Sequence, residues 1–214
     1  MTADVHPAFY PRPLRRALCK LALVTAAAAT AAGLGGCSAM QSQNPSSALK
    51  PVNAVADEQA SRVMLKGHDV VAYFTQGRHA LGAAQFSSIY QDVTFRFASA
   101  EHKALFDAGP QKYLPQYGGY CANGIVYGIP WGGDADSWRI VDGKLYIFGG
   151  AGSKSAYELD IPGNQKLADR YWASEVLGSN SFIQRAYRLT LRVPHYKNGE
   201  QLDQMVKAAR AGKS

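Results

Sequence analysis

The sequence predicts an α+β fold of small antiparallel hairpins with short helices, and three observations lead there. Two pairs of β-prone runs are each joined by two residues: Phe86–Tyr90 to Val93–Phe97 through Gln91-Asp92, and Trp138–Val141 to Lys144–Phe148 through Asp142-Gly143. Asp-Gly between such runs is the stronger signal, because both central residues of a type I′ turn need positive φ. Helical patterning separates and follows the pairs. The third observation is composition: 214 residues, 47% hydrophobic and 18% charged, suit one globular domain with extensions. A collagen-like, coiled-coil or broadly disordered chain is excluded.

The chain opens with an export signal. Residues 11–20, PRPLRRALCK, are positive, and residues 21–36, LALVTAAAATAAGLGG, form a weakly apolar, alanine-rich run. Charge, a short apolar run and then small residues mark a secretory signal, not a fold element. The signal ends Leu34-Gly35-Gly36-Cys37, which resembles the lipobox of bacterial lipoproteins. On that resemblance cleavage leaves Cys37 as a lipidated N-terminus on a bacterial membrane. Ser38 is not an inner-membrane retention aspartate, so the outer membrane, facing the periplasm, is the expected site. The alternative is an ordinary signal peptide with an unrelated cysteine. Arg15-Arg16 with Leu18-Cys19-Lys20 also resembles a twin-arginine motif, although Leu14 stands where a polar residue is usual; both export routes stay open.

Removing residues 1–36 takes away Arg12, Arg15, Arg16, Lys20 and Asp4, leaving 19 basic and 15 acidic residues, net +4 in place of +7. That modest excess suits anionic lipid head groups. A nucleic-acid partner is not expected outside the cytoplasm. Of the three cysteines, Cys19 leaves with the signal and Cys37 carries lipid, so Cys121 is the one free thiol and no internal disulfide forms.

Residues 37–62 read as a lipidated cysteine and flexible tether, rich in Ser, Gln, Asn and Pro up to Ala56. A folded domain is expected over 63–174, with a C-terminal extension over 175–214. Lys66-Gly67-His68-Asp69 is a turn leading into Val70–Phe74, a short β-prone run, and 75–84 reads as a loop. Val93, Phe95 and Phe97 alternate with Thr94 and Arg96, which buries one face of that strand. Ser99 caps a helix to about Ala108, stopped by Gly109-Pro110. Further helical stretches fall at Gln111–Leu114, Ser153–Asp160, Asn164–Trp172 and Glu200–Arg210; residues 181–196 are ambiguous between helix and strand. Gly149–Ser155 mimics a phosphate loop but lacks glycine before Lys154, so a turn is the reading.

The strings GHDVVAYF, YQDVTFRFASAEHKALFDAGPQKYLPQYGGYCANG and SWRIVDGKLYIF, in that order, resemble exported YHS-domain proteins over Lys66–Trp172. The resemblance implies a treble-clef-like α+β core related to metal-binding domains that stand beside copper and other heavy-metal transport systems. The chain departs from that pattern at the thiolate positions, which are occupied by Ala72, Ala98 and His102. A tetrahedral soft-metal site takes about four N or S ligands, so the inherited site is lost.

Several chemistries remain. Cys121, among Tyr117, Tyr120 and Tyr127 in a glycine-rich segment, could join His102 and His68 in a mixed N/S site for copper or zinc. Set against this is the more ordinary reading of Cys121 as a small buried hydrophobe. His102 reads as a core histidine one turn before Phe106, and Asp69 as a turn cap using nearby amides. His79 and His195 are expected to be solvated. Tyr117, Tyr120 and Trp131 could line an apolar cleft for a small ligand. A cysteine-dependent enzyme built on Cys121 lacks any local hydrolase signature. Arg185, Arg188 and Arg192 would share one basic stripe on a helix, solvated by default or facing a membrane or partner, and would scatter between faces on a strand.

The expectation is therefore a lipid-anchored periplasmic binding module, not an enzyme. Its ligand is a transition metal, copper first, with a metal-transport or other envelope protein as partner. The alternative is a metal-free module for a small molecule or envelope protein, using Tyr117, Tyr120 and Cys121; a weak cysteine enzyme comes third.

Overall fold

The computed structural model describes residues 54–56 and 62–212. The signal, Cys37 and most of the tether lie outside the described residues. Strands β2 (Arg62–Met64), β4 (Val93–Phe97) and β3 (Ala83–Tyr90) form a mixed sheet in that order, and β1 (Ala54–Ala56) adds an antiparallel edge to β2. Ala54–Ala56 thus belongs to the sheet, although its composition reads as tether. A separate hairpin pairs β5 (Asp134–Val141) with β6 (Lys144–Phe148). Among the described residues seven helices complete the α+β fold: α1 (Ala72–Thr75), α2 (Ala100–Ala108), α3 (Ala122–Ile125), α4 (Ala151–Tyr157), α5 (Ile161–Tyr171), α6 (Ser181–Thr190) and α7 (Gly199–Ala211). Among the described residues no helix is long and apolar enough to cross a membrane.

Both hairpins follow their turn chemistry. Tyr90 pairs with Val93 and Val141 with Lys144, across turns with φ of 49° and 61° at Gln91-Asp92 and 50° and 72° at Asp142-Gly143. Side-chain alternation holds in β4, where Val93, Phe95 and Phe97 are buried and Thr94 and Arg96 are not. The Ser99 hydroxyl accepts the His102 amide at 3.2 Å and starts α2 where expected. Strand β3 begins at Ala83, inside the segment read as loop, and a register shift lies between Ala83 and Ser87.

Val70–Phe74 does not form a strand. Asp69 Oδ1 accepts the amides of Val71 at 2.8 Å and Ala72 at 3.3 Å, which closes a turn and launches α1. A side-chain carboxylate that satisfies orphan amides outweighs the β preference of two valines.

Strand β6 has no solvent face beyond Lys144. Leu145 and Ile147 join one apolar cluster with Val70, Val71, Tyr73, Phe95, Phe97 and Phe106. Tyr146 and Phe148 join the other, with Tyr117, Ile125, Ile129, Tyr157 and Tyr171. Period-two alternation makes this one strand the wall between two cores.

The C-terminal extension is part of the same body. Asn180 caps α6, and Asn198 with Gln201 makes a capping box on α7. Val193 lies in the second core, and His195 donates through Nε2 to the Val126 carbonyl at 2.9 Å. The ring of His195 also stacks on Tyr127 and Tyr171, so this histidine is packed and not solvated as expected. Ile147→Ala should cost about 2–5 kcal/mol in denaturant unfolding, the range for truncating a buried aliphatic. Truncation of exposed Lys144 to Ala, on the same strand, should leave the midpoint within about 0.5 kcal/mol of the parent.

Candidate functional site

Asp69 is fully buried and holds together three segments of chain. Besides the two amides of α1, its Oδ2 accepts the Ala98 amide at 2.8 Å and His102 Nδ1 at 2.6 Å. Nε2 of His102 lies 3.1 Å from the Thr75 hydroxyl, which itself donates to the Val71 carbonyl, and 3.4 Å from the Gln76 amide nitrogen. Ala72, Ala98 and His102 therefore all bond to the Asp69 carboxylate.

The three residues considered for a mixed metal site do not gather. Both nitrogens of His102 are engaged as described. His68 donates through Nδ1 to the Leu65 carbonyl at 2.9 Å, and its ring meets exposed His79 edge-on at 5.8 Å. Cys121 is buried at the start of α3, with its side chain near Gly149 and its amide donating to the Trp131 carbonyl at 2.9 Å. Burial pushes the Cys121 thiol up, against the opposing pull of the Gly149 backbone. Among the described residues no group of three or more His, Cys, Asp or Glu side chains could hold a metal ion. Of the proposed set, His102 and His68 are thus each hydrogen-bonded in place and Cys121 is a packed thiol.

Local backbone geometry explains the glycines around Cys121. A Cβ on Gly124 would sit 2.6 Å from the Ile129 carbonyl oxygen, so the chain approaches itself there, not a ligand. The stretch Tyr117-Gly118-Gly119 runs through the left-handed region, with φ of 54°, 61° and 78°. For a tyrosine this costs about 1–2 kcal/mol. Tyr117 is held in place by three contacts: its hydroxyl donates to Asp169 Oδ1 at 2.7 Å, and its ring packs on Tyr146 at 5.9 Å and Trp172 at 5.6 Å. Parallel bridges from Pro115 to Leu145 and from Cys121 to Ile147 lay the whole segment alongside β6.

Tyr117 and Gly118 form one wall of a cavity of about 350 Å³. Its other walls bring Tyr90 and Gln91 from the first hairpin, Gln111 and Leu114 from the stretch after α2, Gln116, Trp172 at the end of α5, and Met64 and Leu177. Three aromatic rings and three carboxamides face this space, and among the described residues no charged side chain lines it. Of the sequence-derived ligand residues, Tyr117 is on the cavity, whereas Tyr120 and Cys121 are buried away from it. Trp131 lies elsewhere, half exposed beneath the guanidinium of Arg185 at 5.1 Å. The glutamines carried no signal in sequence, since a Gln in a polar turn reads as solvated.

Two tests probe this geometry. Asp69→Ala and His102→Ala should each destabilise the fold, Asp69→Ala by about 3 kcal/mol or more because it strands several buried donors. The double variant should fall short of the sum of the two in a double-mutant cycle read by chemical denaturation. The second test concerns alkali. Burial raises the phenols of Tyr73, Tyr117, Tyr120 and Tyr157 above their ordinary 10.0, and the Cys121 thiol above 9.0. Above those ordinary values the unfolded chain releases protons that the folded chain keeps, so this stability is full below about pH 9 and declines as pH rises. Denaturant midpoints should therefore drop steadily through pH 9–11, and Cys121 should resist alkylation at neutral pH until the chain is unfolded.

No protein-family model, no curated protein and no solved structure matches this chain.

Proposed function

We propose that the chain is a lipid-anchored binding module of the bacterial cell envelope, whose ligand is a small uncharged molecule held in the cavity beside Tyr117. The observation that carries the reading is the pairing of a left-handed tyrosine with an aromatic and carboxamide lining free of charge. Strained non-glycine backbone persists where the surroundings over-determine it, and it concentrates at ligand sites. Rings and amides without ions select a neutral ligand with an apolar face and hydrogen-bonding edges, such as a sugar or a planar heterocycle. A phosphate or a carboxylate would find no counter-charge among the described residues there.

The copper or zinc reading has less support, because Cys121, His102 and His68 are each committed to other contacts. The Asp69 network supports a module that keeps the resembled fold with a carboxylate where an ion would cross-link it. An enzyme built on Cys121 is disfavoured by the buried, raised thiol. The lipid at Cys37 and the periplasmic location remain part of the proposal, supported by the export signal and lipobox-like sequence.

The test is a titration of the full chain with neutral disaccharides and heteroaromatic fragments, followed by nuclear magnetic resonance. The indole N–H of Trp172 and the side-chain amides of Gln91, Gln111 and Gln116 report directly on the cavity. The expected outcome is saturable shifts at those groups that weaken by about tenfold or more in Trp172→Ala, the loss of one stacking platform. Shifts confined to other regions would overturn the reading. Stoichiometric copper or zinc lost in Cys121→Ala would restore the metal site in its place.

A further inference from the structure

Helix α6 is built with its polarity turned inside out. Its sequence, SFIQRAYRLT, starts on Asn180, whose side-chain oxygen accepts the amides of Phe182 at 3.0 Å and Ile183 at 3.2 Å. The face turned to the protein is polar. Gln184 donates to the Gly128 carbonyl and to Glu175 Oε2, each at 3.1 Å, and Arg185 donates to the Pro130 carbonyl at 2.8 Å. Arg188 forks onto both oxygens of Glu175, with Nε at 2.7 Å from Oε2. The face turned outward is apolar: Phe182, Ile183, Tyr187 and Leu189 are 46%, 63%, 47% and 37% exposed. Leu177 and Leu191 extend the same exposure before and after the helix, at 54% and 55%. A helix on a water-exposed surface normally shows the opposite arrangement.

The orientation is locked. Rolling α6 to bury its apolar stripe would tear Arg185 and Arg188 from their acceptors and leave cationic groups without partners in the protein. The Arg185-Arg188 stripe anticipated from spacing is therefore real as a helical face, but it faces inward as an anchor.

Charge identifies what covers the outward face. From Val176 to Gly199 the chain carries Arg185, Arg188, Arg192 and Lys197 and no acidic residue. Two of these are used as anchors. Arg192 and Lys197 remain beyond the end of α6, with the Arg192 guanidinium resting on the Tyr196 ring at 4.7 Å. A stripe of Phe, Ile, Tyr and Leu with cations at one end matches a helix lying in the plane of an anionic membrane interface. A protein partner is less favoured, because the segment from Val176 to Gly199 that carries the stripe offers cations and no carboxylate.

We propose that the outward face of α6 docks on an anionic phospholipid bilayer. Phe182, Ile183 and Tyr187 enter the boundary between head groups and acyl chains, and Arg192 and Lys197 meet the phosphates. This inference rests on α6 alone and stands whether or not the cavity binds a ligand.

The experiment is hydrogen exchange, read by mass spectrometry, on the full chain carrying Cys37→Ser so that no lipid is attached. Reporting on residues 181–191 separates α6 from any contact made by the N-terminal apolar run. Phosphatidylglycerol vesicles should slow exchange there by about tenfold. Phosphatidylcholine vesicles should protect the segment much less, and Arg192→Glu with Lys197→Glu should lower affinity for the anionic vesicles by about tenfold or more. Phe182→Ser, Ile183→Ser and Tyr187→Ser together should abolish the protection while β6 keeps its own slow exchange, which shows that the fold survives. Unchanged exchange with vesicles would overturn the proposal. So would protection that appears without vesicles as concentration rises and the mass doubles, since a second copy would then be the occupant. Protection that persists in the triple variant would overturn it as well.

Discussion

The two-sided burial of β6 is the constraint on which the rest of the structure depends. A strand whose successive side chains point to opposite faces can serve two cores only if both faces are covered. Leu145 and Ile147 are covered by the first hairpin and the α1 turn, Tyr146 and Phe148 by α3, α4 and α5. Segment 115–121 is bridged along the strand at Leu145 and Ile147, so the position of Tyr117 is inherited from β6. The cavity wall, its strained tyrosine and the aromatic pair with Trp172 all follow from that placement.

Asp69 does for the first core what a bound ion does in a metal-dependent module. It gathers α1, the end of β4 and the first turn of α2 through four hydrogen bonds, all inside the protein. A buried carboxylate is costly to desolvate, and only a full set of donors offsets that cost. The network is satisfied on every side, including both nitrogens of His102. That completeness removes His102 from the pool of metal ligands and gives it a positioning role within the core.

The C-terminal extension shows how polar contacts can decide which face of a helix is displayed. Carbonyls at Gly128 and Pro130 lie in the turn after α3, where the chain folds closely on itself at Gly124. Arginine and glutamine side chains satisfy those carbonyls better than any apolar group could. The apolar face of α6 is left outward as the consequence. Leu177 belongs both to the cavity wall and to the approach to this face, so the proposed ligand site and membrane surface adjoin each other.

Much of the fold was legible locally. The turns at Gln91-Asp92 and Asp142-Gly143, the Ser99 cap and the alternation of β4 are short-range signals, read from backbone conformational preference and side-chain period. Val70–Phe74 misled, because its helical turn depends on a carboxylate that accepts local amides while being anchored 29 and 33 residues away. The candidate site was legible only in part. Tyr117 stood out through its glycine-rich surroundings, whereas Gln91, Gln111, Gln116 and Trp172 came together through packing of segments distant in sequence. Sequence by itself determined the two hairpins, the buried face of β4 and the helix capped by Ser99. Tertiary structure alone decided which of the remaining polar groups meet, because a hydrogen bond is set by distances of a few tenths of an ångström, which no local pattern encodes.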